Sequence, residues 1–108
     1  MDKIEKIINY KFSSEKEYNS FISKIMSTNN WLESYAKEAF IEYLRFMYLA
    51  TISDEPVTPS ITIDKIWHEH LNFTKAYWDD FCPNYLDKKI HHNPGIENNM
   101  SAYIAQFD

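Results

Sequence analysis

Residues 31–50 read WLESYAKEAFIEYLRFMYLA, a run that combines large apolar side chains with good helix formers. Its apolar positions recur at helical spacing over a wide arc, and they are Trp31, Leu32, Tyr35, Ala39, Phe40, Tyr43, Leu44, Phe46, Met47 and Leu49. A helix with so wide an apolar arc is typical of the middle of a bundle, because it needs neighbours on several sides. We predict a long central helix here, capped by Asn30 and ending near residues 50–53.

Two shorter helices are predicted before the central one. Asp2 can cap the first helix, and Ser14 with Glu17 forms a capping-box pattern at the start of the second. The apolar residues of both helices recur at spacings of three and four. They are Ile4, Ile7, Ile8 and Phe12 in the first helix and Tyr18, Phe21, Ile22 and Ile25 in the second. The polar run at residues 27–30 ends the second helix.

A second long helix is predicted after the central one. Thr58 followed by Pro59 reads as a cap and a first helical position, where the missing N–H of proline is tolerated. This fourth helix runs to about Cys82, and Pro83 ends it. A loop follows, and a short last helix is predicted from apolar residues at helical spacing. They are Met100, Tyr103, Ile104 and Phe107.

The composition agrees with an all-α fold. Only one Gly and four Pro interrupt the 108 residues, and no sustained alternation of polar and apolar residues indicates a strand. The length suits one domain with one core. We therefore predict an all-α, compact single domain over residues 1–108, a bundle of about five helices with long central third and fourth helices.

Charge and cysteine content narrow the functional classes. The net charge of -5 is spread over interleaved lysines and carboxylates, which argues against a nucleic-acid partner. The single Cys82 excludes an intramolecular disulfide, and no long apolar run indicates a membrane span or a secretion signal. We predict a cytoplasmic protein, while a protein partner and the oligomeric state stay open.

All four histidines lie between positions 68 and 92, in the segments WHEH and HH. His70 falls on the apolar face of the predicted fourth helix, beside residues such as Ile66 and Thr74. His68 points elsewhere, since two residues apart on a helix means about 200° of rotation. His68 and His70 therefore cannot easily bind one ion together. This spacing also differs from the i, i+4 pair of helical zinc sites.

Asp64 stands one turn before His68, so its carboxylate can accept a hydrogen bond from that imidazole. The segment after Pro83 is long enough to fold back along the helix, because an extended residue spans about 3.3 Å and a helical residue about 1.5 Å. His91 or His92 can then meet His68 or His70.

Zinc is the predicted cofactor of such a cluster. The candidate ligands are His68, His70, His91 and His92. The candidates for completing the site or orienting its ligands are Asp64, Glu69, Trp67, Tyr77 and Cys82.

Other interpretations of the same residues stay open. His70 on a buried face can simply be a hydrogen-bonded core residue, and Cys82 a small buried hydrophobe. The histidines can form a metal-free polar network that shapes a protein-interaction surface. A third hypothesis is a small hydrolase or lyase that uses Asp64 and His68 as an oriented base. The chain shows no glycine-rich phosphate loop, nucleophile elbow or HExxH motif.

The order of these motifs resembles the glycine-rich domain-containing protein-like family of bacteria and plants. The segments that carry the resemblance are Tyr43-Leu44-Arg45-Phe46, Thr58-Pro59-Ser60, Ile63 to Leu71 (IDKIWHEHL), Thr74, Tyr77, Phe81-Cys82 and His91-His92-Asn93-Pro94. They cover about the C-terminal two-thirds of the chain. The resemblance implies that the family's characteristic positions here are Asp64, Trp67, His68, His70, Tyr77, Cys82, His91 and His92. The glycine-rich region of the family's name has no counterpart in this chain, so the resemblance implies no function tied to that region.

Overall fold

The computed structural model describes residues 2–92, which form five helices and no strand. In chain order these are α1 (Lys3–Ile8), α2 (Glu15–Asn29), α3 (Glu33–Ile52), α4 (Ile61–Asn72) and a π-helix (Lys75–Leu86). The all-α bundle is confirmed. The predicted last helix, with Met100, Tyr103, Ile104 and Phe107, lies outside the described residues. Within residues 2–92, no helix combines the length and the apolar content that crossing a membrane requires.

The predicted N-terminal caps of α1 and α2 are confirmed. The Asp2 carboxylate accepts a hydrogen bond from the Glu5 backbone N–H at 2.9 Å, and the Ser14 hydroxyl accepts one from that of Glu17 at 3.1 Å. The Glu17 carboxylate bonds to Ser13 rather than to Ser14. Each side chain thus satisfies a backbone donor that the first helical turn leaves without a partner.

The predicted role of Asn30 as the cap of α3 is wrong. Asn30 adopts a left-handed conformation with φ 57°, and it ends α2 instead of starting α3. Asparagine tolerates this conformation better than most residues, and it allows the Trp31 N–H to reach the Met26 carbonyl at 3.0 Å. Leu32 precedes α3 without a side-chain cap.

The structure has two helices where one long fourth helix was predicted. Ser60 rather than Thr58 caps α4, accepting from the Ile63 N–H at 3.2 Å. The α4 helix ends where the Phe73 N–H bonds to the carbonyls of Glu69 and His70, at 3.3 and 3.0 Å.

The π-helix follows this break, and the prediction that Pro83 ends the helix is wrong. Pro83 lies inside the π-helix, which continues to Leu86 and ends at Asp87 in a left-handed conformation. A proline removes one backbone donor but does not prevent the wider turns of a π-helix from continuing around it.

The core is aromatic and centred on α3, which packs against all four other helices. Phe12, predicted to lie in α1, follows that helix with φ 64° and is buried among rings from α2, α3 and α4. The largest fully buried side chains are Tyr10, Tyr43, Tyr77, Phe21, Phe40, Phe81, Ile7, Ile25, Leu44, Met47, Ile66 and Leu86. This core holds α4 and the π-helix side by side, and the chain after the π-helix returns to α4.

Candidate metal site

Asp64 and His68 lie one turn apart on the outer side of α4. The Nε2 atom of His68 is 3.5 Å from Oδ2 of Asp64, as expected for an i, i+4 pair on a helix. The His68 side chain is 53% exposed and that of Asp64 is 28% exposed. This pair is therefore in contact with solvent, mainly at His68.

His92 joins this pair from a distant part of the chain. Its Nε2 atom lies 2.5 Å from Oδ1 of Asp64, and its ring centroid lies 4.4 Å from that of His68. One ligand atom from each of these three side chains lies within 4.8 Å of the other two. The predicted return of the chain after the π-helix thus brings one histidine of the HH pair to α4.

Contacts around Trp67 and Tyr77 hold the returning segment in place. The Trp67 ring packs edge-on against His92, with centroids 4.7 Å apart. The Trp67 indole N–H donates to the Tyr77 hydroxyl at 3.0 Å, and this hydroxyl donates to the Ile90 carbonyl at 2.5 Å. At the start of the segment, the Lys88 N–H donates to the Cys82 carbonyl at 3.2 Å.

His70 belongs to a separate polar group inside the core. Its ring is fully buried, with Nδ1 2.6 Å from the Tyr43 hydroxyl and Nε2 3.2 Å from the Tyr10 hydroxyl. Burial lowers the pKa of His70 from 6.5 to about 3, so the ring is neutral. Both ring nitrogens already have a partner, which fits the interpretation of His70 as a hydrogen-bonded core residue.

The other candidate residues also lie apart from the three-residue group. The exposed His91 ring packs against Trp78, with centroids 4.9 Å apart. Glu69 is half-buried on α4, and Cys82 is buried in the π-helix. Burial is the main cause that raises the pKa of the Cys82 thiol. Among residues 2–92, the structure therefore groups His68 and His92 with Asp64, but not His70 or His91.

Sequence reasoning missed the partners of two buried polar side chains. Tyr10 and Tyr43 hydrogen-bond to His70, and the Ile90 carbonyl accepts from Tyr77. The signal available for Tyr43 was its place on the apolar arc of the central helix. A buried histidine needs polar partners, and tyrosine is the residue that brings a hydroxyl into such an arc.

A cavity of about 570 Å³ lies beside the returning segment. Its walls come from the end of α3, the loop before α4, Trp67 and residues 88–92. His92 therefore faces two features, the carboxylate of Asp64 and this cavity. His68 is not among the described residues that line it.

Comparisons with known proteins bear on the origin of this domain. The family described as glycine-rich domain-containing protein-like matches residues 1–80, so the match includes Asp64, His68 and His70 but ends before Cys82 and His92. Searches of curated proteins and of solved structures gave no significant match. Because the family match spans most of the chain, this chain belongs to the glycine-rich domain-containing protein-like family.

Proposed function

We propose that this domain binds a divalent transition-metal ion, with zinc as the leading candidate, through Asp64, His68 and His92. The observation that carries the proposal is the meeting of three ligand-bearing side chains from two distant segments, with one ligand atom of each within 4.8 Å of the others. Exposed carboxylates often gather without an ion, but here a partly buried histidine joins the group from a separate segment.

The donor atoms suit zinc and its neighbours in the first transition row. Two imidazole nitrogens and one carboxylate oxygen form a ligand set of intermediate softness, which these ions accept. Three protein ligands leave at least one coordination position for water or for an added ligand. His92 and Asp64 are partly buried, whereas His68 is exposed. An ion could thus enter from the His68 side.

The two distances to the Asp64 carboxylate are close to those that an ion requires. With metal–ligand distances of about 2.0–2.1 Å, neighbouring ligands in a tetrahedral site lie about 3.3 Å apart. Nε2 of His92 lies 2.5 Å from Oδ1 of Asp64, and Nε2 of His68 lies 3.5 Å from Oδ2 of the same carboxylate. With one ligand atom from each residue the separations stay within 4.8 Å, so side chains would have to shift to close around an ion.

A bound ion would join the segment at residues 88–92 to α4. Such a link would stabilise the folded chain, because an ion that binds only the folded state favours that state by mass action. The alternative hypothesis is a metal-free interaction module, in which the hydrogen bond between His92 and Asp64 is sufficient for this link. The two hypotheses differ in metal content.

Metal analysis of the full chain tests the proposal. Protein purified without chelator should contain close to one equivalent of metal, and EDTA should lower its melting temperature. Zinc added back should restore both values. Absence of stoichiometric metal, together with melting that EDTA leaves unchanged, would sink the proposal and favour the metal-free module.

The cellular setting is also a proposal. A net charge of -5 and a single cysteine suit a cytoplasmic protein that does not bind nucleic acid. If the domain is instead the metal-free interaction module, its partner in this setting would be another protein.

A further inference from the structure

The Tyr77 hydroxyl connects three separate parts of the molecule. It lies between the indole N–H of Trp67 on α4 and the main-chain carbonyl of Ile90 in the returning segment. The direction of both hydrogen bonds follows from the chemistry of the partners. An indole N–H can only donate and a carbonyl can only accept, so the hydroxyl accepts from Trp67 and gives its single proton to Ile90.

The π-helix holds the returning segment at a second point as well. The Lys88 main-chain N–H donates to the Cys82 carbonyl at 3.2 Å. Tyr77 and Cys82 are both buried in the core. The returning segment is thus bonded to the π-helix at Lys88 and, through the Tyr77 hydroxyl, at Ile90.

The hydrogen bonds of Tyr77 are linked to the position of His92 in two ways. Along the chain, His92 follows Ile90 by two residues, which limits their separation to about 7 Å. Through space, the His92 ring packs on Trp67, whose indole N–H is bound by Tyr77. Both routes include the Tyr77 hydroxyl.

We infer that Tyr77 is a positioning residue that holds the His92 ring against Asp64 through Ile90 and Trp67. This inference rests on the proposed function in one respect, since it makes Tyr77 a determinant of metal affinity. Without the hydroxyl, the returning segment would keep its bonds at Lys88 and His92 but lose the one at Ile90, so more of its ordering would accompany metal binding. Outer partners of metal ligands typically change affinity by about 10–100-fold, and Tyr77, which acts through intermediates, should lie near the low end.

Tyr77→Phe tests the inference, and Tyr85→Phe is the matched control. Tyr85 is a half-buried tyrosine on the same π-helix whose ring packs on Tyr10 instead. In the metal-free protein, nuclear Overhauser effects between the rings of His92 and Trp67 should be strong in the parent and in Tyr85→Phe. They should be lost in Tyr77→Phe, with helical circular dichroism unchanged. Retention of these effects in Tyr77→Phe would overturn the inference.

Zinc titration adds a readout that a general structural defect would not reproduce. Tyr77→Phe should weaken zinc binding about tenfold in the parent chain, yet cause no further loss in a His92→Ala background. Equal losses in both backgrounds would overturn the inference. A parent chain that binds no zinc would overturn the proposed function alone, because the ring contacts in the metal-free protein still test the placement of His92. If Tyr77→Phe loses its helical signal, the parent chain supplies a second test: a nuclear Overhauser effect between the Tyr77 ring and the Trp67 indole N–H should be present, and its absence would overturn the inference.

Discussion

The Nε2 atom of His92 lies 2.5 Å from Oδ1 of Asp64, although 28 residues separate the two in the chain. Asp64 is on α4 and His92 is beyond the π-helix. With His68 one turn along α4, this contact creates a group of side chains of the types that can bind a metal, and no local motif contains this group.

Of the two neighbouring histidines, only His92 should affect metal binding when it is replaced. His92→Ala removes a proposed ligand, so the zinc dissociation constant should rise by more than the roughly 10–100-fold typical of lost outer partners. His91→Ala removes an exposed ring that packs on Trp78, and its zinc affinity should match the parent. Isothermal titration calorimetry measures both. Similar losses in the two variants would contradict the assignment of His92.

The buried His70 should make stability depend on pH. Its pKa is about 3 in the folded protein and near 6.5 when unfolded, so between these values only the unfolded state takes up the proton. The part of the free energy of unfolding that comes from this pKa difference is fully present above pH 6.5. It is lost as pH falls towards 3, at roughly 1 kcal/mol per pH unit. Urea unfolding at pH 5 and pH 7 measures this slope. The slope should be smaller in His70→Gln, and an identical slope would contradict the prediction.

The hydroxyl of Tyr43 should matter more for stability than that of a neighbouring tyrosine. Tyr43→Phe leaves Nδ1 of His70 without a buried partner, which should lower the free energy of unfolding by about 1–3 kcal/mol. The control is Tyr48→Phe, since Tyr48 is half-buried on the same helix. Equilibrium urea unfolding compares them. Equal effects would show that the hydrogen bond to His70 adds nothing.

Two hydroxyl residues near the start of α4 should differ in how much they contribute to the free energy of unfolding. Ser60→Ala removes the acceptor of the Ile63 N–H and should lower the free energy of unfolding by about 1 kcal/mol. Thr58→Ala lies two residues before that cap and should change it by less than about 0.5 kcal/mol. Thermal and urea unfolding measure both changes. A larger effect at Thr58 would restore the cap predicted from the Thr58-Pro59 pair.

Side-chain relationships within one helical turn were predicted well, whereas the backbone at Asn30 and Pro83 and the choice between His91 and His92 were not. The caps at Asp2 and Ser14 and the separation of His68 from His70 follow from helical geometry, which depends on a few neighbouring residues. Asn30 and Pro83 were assigned wrongly, because each tolerates two local conformations and packing selects one.

The amino-acid sequence by itself determined the all-α class, the aromatic core and the placement of Asp64 beside His68, because helical periodicity and capping act over a single turn. Only the tertiary structure decided that His92, and not His91, reaches Asp64. That choice depends on the break between α4 and the π-helix and on the hydrogen bonds that hold Ile90. Contacts between distant segments are the sum of many weak interactions across the core, and no short run of residues specifies that sum.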